Sequence, residues 1–97
     1  MEHLVCGSVR LRGEEILFRG YPLRLTGNEM RIVRQLAVCR DTYFSGEELA
    51  ALCLDGGGAD AAAVHVCHLN QKSDALCGAP MIECRRFRGY RLPSLLR

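Results

Sequence analysis

At Thr26 the spacing between apolar residues changes, and that change limits what the chain can fold into. Before it, Val9 and Leu11, Ile16 and Phe18, then Leu23 and Leu25 stand two apart. This is the repeat of strands with one buried face. The intervening "RGEE" and "RGYP" each carry a glycine suited to a tight turn. Together they predict an antiparallel β-meander over about residues 8–25.

After Thr26 the apolar residues follow a helical repeat. In "TGNE" the Thr26 hydroxyl can accept from helix-start amides while Glu29, three residues on, reaches back, a capping box. Met30, Ile32, Val33, Leu36, Ala37 and Cys39 then form a broad arc, as in a mostly buried helix over about 27–40. "SGEE" at Ser45–Glu48 repeats the box and opens a helix over about 46–54, with Leu49, Leu52 and Cys53 inward. Three glycines make "LDGGGAD" a break. A third helix is expected over about 60–76. With Val66 at its core centre, Ala62, Leu69, Ser73, Leu76 and Cys77 share the inner side. The opposite side then holds Ala61, Val64, His68, Gln71 and Ala75, with His65 and Lys72 at one edge. Finally "MIECRRFRGYRL" reads as two short strands, over about 81–92, around a turn near Phe87–Gly89. The order is strands, three helices and a hairpin, an α+β fold in one domain spanning residues 1–97.

Charge is distributed unevenly along this chain. From Met81 onward five arginines face one acid, whereas residues 1–80 carry eight basic and ten acidic side chains. A net charge of +2 does not announce a polyanionic partner, but a local basic patch acts on a phosphate backbone even when the total is small. Six cysteines invite a disulfide reading, yet "MEHLVCGS" has no secretory pattern, and Cys39, Cys53, Cys67 and Cys77 fall within or at the ends of helical repeats. Free thiols in a reducing cytoplasm are expected, with no membrane span. A metal site is not expected. No Cys-x-x-Cys pair occurs, and Cys67 lies about 160° round the helix from His65. Neither a catalytic Cys-His pair with an orienting third group nor a phosphate loop with its Lys-Ser/Thr can be identified, so neither an enzyme nor a cofactor is expected.

Four stretches in this order resemble the winged helix-turn-helix effector domain of OmpR/PhoB-type response regulators of two-component systems. "RGYPLRLTGNE" is similar to the family's strand into a Leu-Thr-x-x-Glu helix start, and "FSGEELAAL" to its second helix. "VHVCHL" resembles the Val-His-Ile-x-x-Leu core of its recognition helix, and "RGYRL" its C-terminal Gly-Tyr hairpin. The resemblance covers about residues 8–92. It implies a DNA-binding transcription regulator with the third helix in the major groove and the hairpin, or wing, on the minor groove and backbone.

Residue by residue, the resemblance matches Val64 and His65 to DNA-facing positions and Arg86 to the wing's usual arginine. By chemistry, Val64 suits a thymine methyl, while His65, His68 and Gln71 suit base edges or phosphates. Lys72 is the helix's only fixed positive charge, and Arg85, Arg86 and Arg88 suit the electronegative minor groove. The resemblance also implies a contact of the loop Asp55–Asp60 with RNA polymerase, and so few contacts imply a homodimer on paired half-sites. The chain departs from the family at several places. His68, Asn70 and Gln71 stand where it often has Arg or Lys, Ser73 replaces a core Leu, Cys84 a Thr, and Phe87 a Gly. The family's phosphoacceptor receiver has no counterpart here, so switching by phosphorylation in the usual manner is not expected. The weakly charged third helix, with Ala61, Val64 and Ala75 outward, motivates an alternative from another class, a winged helix serving as a protein-interaction or dimerisation module.

Overall fold

The alternation of the first quarter is realised as a four-stranded antiparallel sheet in sequence order: β1 (His3–Cys6), β2 (Val9–Arg12), β3 (Glu15–Phe18) and β4 (Tyr21–Leu23). The computed structural model describes residues 3–6, 9–12, 15–39, 41–54 and 57–92, giving only the backbone at 3–6 and 77. β2–β4 are the expected meander, with Val9, Leu11, Ile16, Phe18 and Leu23 buried. Arg19 and Gly20, with φ of 54° and 85°, form the two-residue link of β3 to β4, whose backbone twist matches that of the strands. β1 was not expected. It pairs His3–Cys6 against Arg12–Val9 at the sheet edge, and pairing of this kind is made by backbone groups that leave little trace in a four-residue sequence.

Both capping boxes form as read. Thr26 and Glu29 open α1 (Gly27–Val38), and Ser45 and Glu48 open α2 (Gly46–Ala50). α2 stops earlier than the expected residue 54. The Leu52 amide donates to the Leu49 carbonyl and the Cys53 amide to that of Ala50, each at 3.0 Å, the tighter bonding of a helix giving way to turns. Leu52 and Cys53 nonetheless pack against the core. α3 (Gly58–Cys77) begins in what reads as a glycine break, behind Gly57 with φ of 95°, and ends on Gly78, whose amide donates to the Asp74 carbonyl at 2.8 Å. Asp55 and Gly56, the start of the loop assigned to RNA polymerase, lie outside the described residues, and Gly58–Asp60 belong to α3.

Ile32, Val33 and Leu36 from α1, Leu49 from α2, and Ala62, Val66 and Leu69 from α3 close over the sheet's Ile16 and Phe18. Each fully buried Leu or Ile contributes about 1.5–3 kcal/mol. Leu76, expected inward, is 44% exposed. A 20-residue helix spans about 30 Å, and its last turn passes beyond the core. Ser73, also expected inward, is fully buried, with its hydroxyl donating to the Asn70 carbonyl at 3.1 Å. The four cysteines whose side chains are described, Cys39, Cys53, Cys67 and Cys84, are free thiols.

One polar cluster ties α1 to α3. Glu29 is 2% exposed, and its Oε1 accepts the Thr26 amide at 3.0 Å and the Lys72 ammonium at 2.6 Å. Lys72 also donates to the Arg24 carbonyl at 2.9 Å, just ahead of the capping box. Burial alone would push the Glu29 carboxyl up. The Lys72 and Thr26 hydrogen bonds, with the nearby Lys72 and His68 charges, outweigh it and hold the group below its ordinary value of 4.5. Because the folded-state value is depressed, the stabilisation is complete above that value and is lost as the pH falls through the lower folded one. Glu29→Gln should therefore cost about 1–3 kcal/mol at neutral pH. It should also flatten the acid side of the stability curve, as measured by urea unfolding at a series of pH values.

Candidate nucleic-acid interface

The outer arc of α3 is short of fixed charge. Val64 (51% exposed), His68 and Gln71 point to solvent, with His65 and Lys72 half-buried beside them. At 100° per residue these five share an arc of about 120°. The Gln71 amide donates weakly to Cys67 Sγ at 3.5 Å, within the helix. Lys72, the helix's only fixed positive charge, is held by Glu29 and the Arg24 carbonyl. Asn70, which reads as one more polar helix residue, turns inward instead. Its Oδ1 accepts the Met81 and Ile82 amides at 3.0 and 2.9 Å, and its Nδ2 donates to the Ile82 carbonyl at 3.2 Å. This clamp buries two consecutive apolar residues, which a regular strand cannot do because its side chains alternate. It sets where the hairpin leaves α3.

The hairpin itself is β5 (Glu83–Arg85) and β6 (Gly89–Arg91), with Glu83 opposite Arg91 and Arg85 opposite Gly89. It is not a free arm. The amides of Phe44 and Tyr90 each donate to the other's carbonyl at 2.8 Å, joining β6 to the start of α2. That contact explains Gly89. Its φ is 112°, and a Cβ there would stand 2.2 Å from the Phe44 carbonyl oxygen.

The four arginines do not share one role. Glu83 accepts from Arg85 and Arg91 at 2.8 Å each and from the Tyr43 hydroxyl at 3.0 Å. Bonds from Arg85 and Arg91 outweigh a small effect of burial and, with Tyr43, hold its carboxyl at about 2. Glu83 is thus fully ionised at neutral pH and offsets part of the wing's charge from inside the wing. Arg91 and Arg88 also lie over the Tyr43 ring, at 4.9 and 5.5 Å from its centroid. Among the described residues Arg86 and Arg88 form no ion pair. Sequence reasoning missed Glu83's role because Tyr43 is forty residues away, although the i, i+2 spacing to Arg85 was in view.

Wing and helix meet at an open groove of about 430 Å³, with Asp60 and Ala63 of α3 on one side and Arg85, Phe87 and Arg88 on the other. On the helix side the groove is lined by the first turns of α3, ahead of the exposed arc that begins at Val64, and of the two arginines without an ion pair Arg88 lines it. No group of three or more potential metal ligands occurs among the described residues, and none of their helices is long and apolar enough to cross a membrane. Gly89→Ala should cost about 2–4 kcal/mol, because the wing must separate from Phe44 to admit the methyl group. Thermal unfolding would measure this, with wing amide shifts in NMR changing while those of β2–β4 do not.

No protein-family model matches the sequence. No curated protein matches it either. Solved structures do. The DNA-binding domain of CpxR from E. coli is 27% identical with a TM-score of 0.74, over 99% of this chain and 100% of that one. The DNA-binding domain of the response regulator AdeR, solved in complex with an intercistronic region, is 20% identical with a TM-score of 0.81, over 94% and 99%. DrrB, a Thermotoga maritima OmpR/PhoB homologue, matches at 16% identity and a TM-score of 0.76, over 95% of this chain and 44% of that one. Sheet, capped helices and anchored hairpin together give this chain the winged helix-turn-helix fold of the OmpR/PhoB-type response-regulator DNA-binding domains.

Proposed function

We propose that this protein binds double-stranded DNA as a transcription regulator, with α3 in the major groove and the wing on the minor groove and backbone. The observation that carries this reading is the shared surface. The N-terminal turns of α3, through Asp60 and Ala63, and the wing, through Arg85, Phe87 and Arg88, line one groove, so a single duplex can engage both elements. AdeR's structure in complex with an intercistronic region, on the same fold, supports it.

Within that reading the contacts divide by chemistry. Val64 offers a methyl surface to thymine, and His65, His68 and Gln71 offer hydrogen bonds to base edges. Arg86 and Arg88 supply the phosphate and minor-groove charge, and Arg85 a smaller share because Glu83 holds it. Lys72 is assigned to the frame. With so few charges per domain, binding is to paired half-sites as a homodimer. The loop Asp55–Asp60, whose Gly58–Asp60 open α3, is the proposed contact with RNA polymerase.

Fluorescence anisotropy on mixed-sequence duplexes across a salt series tests the reading. Arg86→Ala should weaken binding to all sequences and reduce the log–log salt slope by about one. His68→Ala and Gln71→Ala should leave that slope in place and change the preferred site. Uniform losses for all three would remove sequence readout by α3. Absence of binding at low salt would overturn the DNA reading and favour a protein-interaction module.

A further inference from the structure

The tip of the wing carries a residue that its backbone does not favour. Phe87 is 97% exposed, and its φ of 67° lies in the left-handed region that glycine enters freely and a bulky side chain does not. Reversing the chain does not call for an aromatic ring at this position. Nor does the core, since the ring is almost wholly in water. Its described neighbour is the Arg86 guanidinium, 5.5 Å from the ring centroid, and Arg88 follows it in the chain. Backbone strain of this kind persists where it serves a site. Here it holds an unburied apolar ring between the two wing arginines that form no ion pair among the described residues, at the edge of the groove shared with α3.

We propose that Phe87 is a wedge. Resting on the DNA reading above, the wing tip inserts this ring between adjacent base pairs of the minor groove while Arg86 and Arg88 engage the flanking backbone. Apolar side chains inserted at a base step partly unstack it and bend the duplex. A ring fully exposed in the free protein leaves water on insertion, so the exposure that is unfavourable alone becomes a driving force when bound. Pyrimidine–purine steps unstack most easily. The wedge therefore selects for such a step beneath the wing, at a position that no side chain of α3 reads.

The test uses duplexes selected by the wild-type protein from a mixed-sequence pool, with 2-aminopurine replacing successive adenines and a donor–acceptor dye pair at the ends. Wild-type protein should raise 2-aminopurine fluorescence at one step and shorten the end-to-end distance. Phe87→Gly should abolish both signals and weaken binding roughly 5- to 100-fold, with a Tm equal to or above that of the wild type because the strain is relieved. Phe87→Leu, an apolar wedge without the ring, should keep most of the bend. Binding and bending by Phe87→Gly equal to wild type would overturn the wedge and leave the DNA reading standing. So would a wild-type complex with no unstacked step. A Tm for Phe87→Gly many degrees below wild type would make Phe87 a structural residue and likewise end the proposal. Failure of the wild-type protein to retain any duplex would sink both readings.

Discussion

The Glu29 carboxylate is where the fold's separate parts are joined. Placed at the third position of α1, it completes the capping box with Thr26, and through Lys72 it reaches α3 across forty-three residues. Lys72 continues to the Arg24 carbonyl, so strand exit, helix start and α3 meet at one buried charge pair. A carboxylate removed from water this completely is tolerated only when its partners are in place. The angle at which α3 crosses α1 is thereby constrained, and with it the surface that α3 presents.

That constraint has a functional consequence. The only lysine in the chain is drawn inward, and the helix that faces the proposed duplex is left with imidazoles and an amide. Positive charge is concentrated on the wing instead, where Glu83 subtracts from it again by holding Arg85 and Arg91. What remains is a small, directed cationic tip at Arg86 and Arg88 around a fully exposed ring. Non-specific affinity follows the number of neutralised phosphates, so on the proposed DNA reading attraction for arbitrary DNA is modest and shape and stacking take a larger share.

The wing owes its position to backbone contacts. Asn70 fixes its root, and the Phe44–Tyr90 bridge fixes its second strand against the start of α2. The bridge is made wholly of peptide groups, which are the same in every residue, and Asn70 grips peptide groups with its side-chain amide; the segments joined are eleven to forty-six residues apart. The bridge shows in the sequence only through a missing side chain, at Gly89.

Element types were legible in the sequence because they rest on local rules. Two-residue alternation, the paired Thr26/Glu29 and Ser45/Glu48 boxes and the helical apolar arcs each act within a few residues, and all of them formed. The places where the reading went astray are those where distant partners intervene. β1 exists through pairing with β2, α2 shortens where its end meets the core, and Leu76 lies beyond the core's reach. Candidate site residues were legible as types but not as roles. By itself the sequence determined where the arginines, histidines and apolar faces lie along each element. Only the tertiary structure decided that Lys72 and Asn70 belong to the frame, that Arg85 and Arg91 are held by Glu83, and that Arg86 and Arg88 form no ion pair among the described residues. The physical reason is that a charge's availability depends on what stands within a few ångströms of it, and here those neighbours come from other elements of the fold.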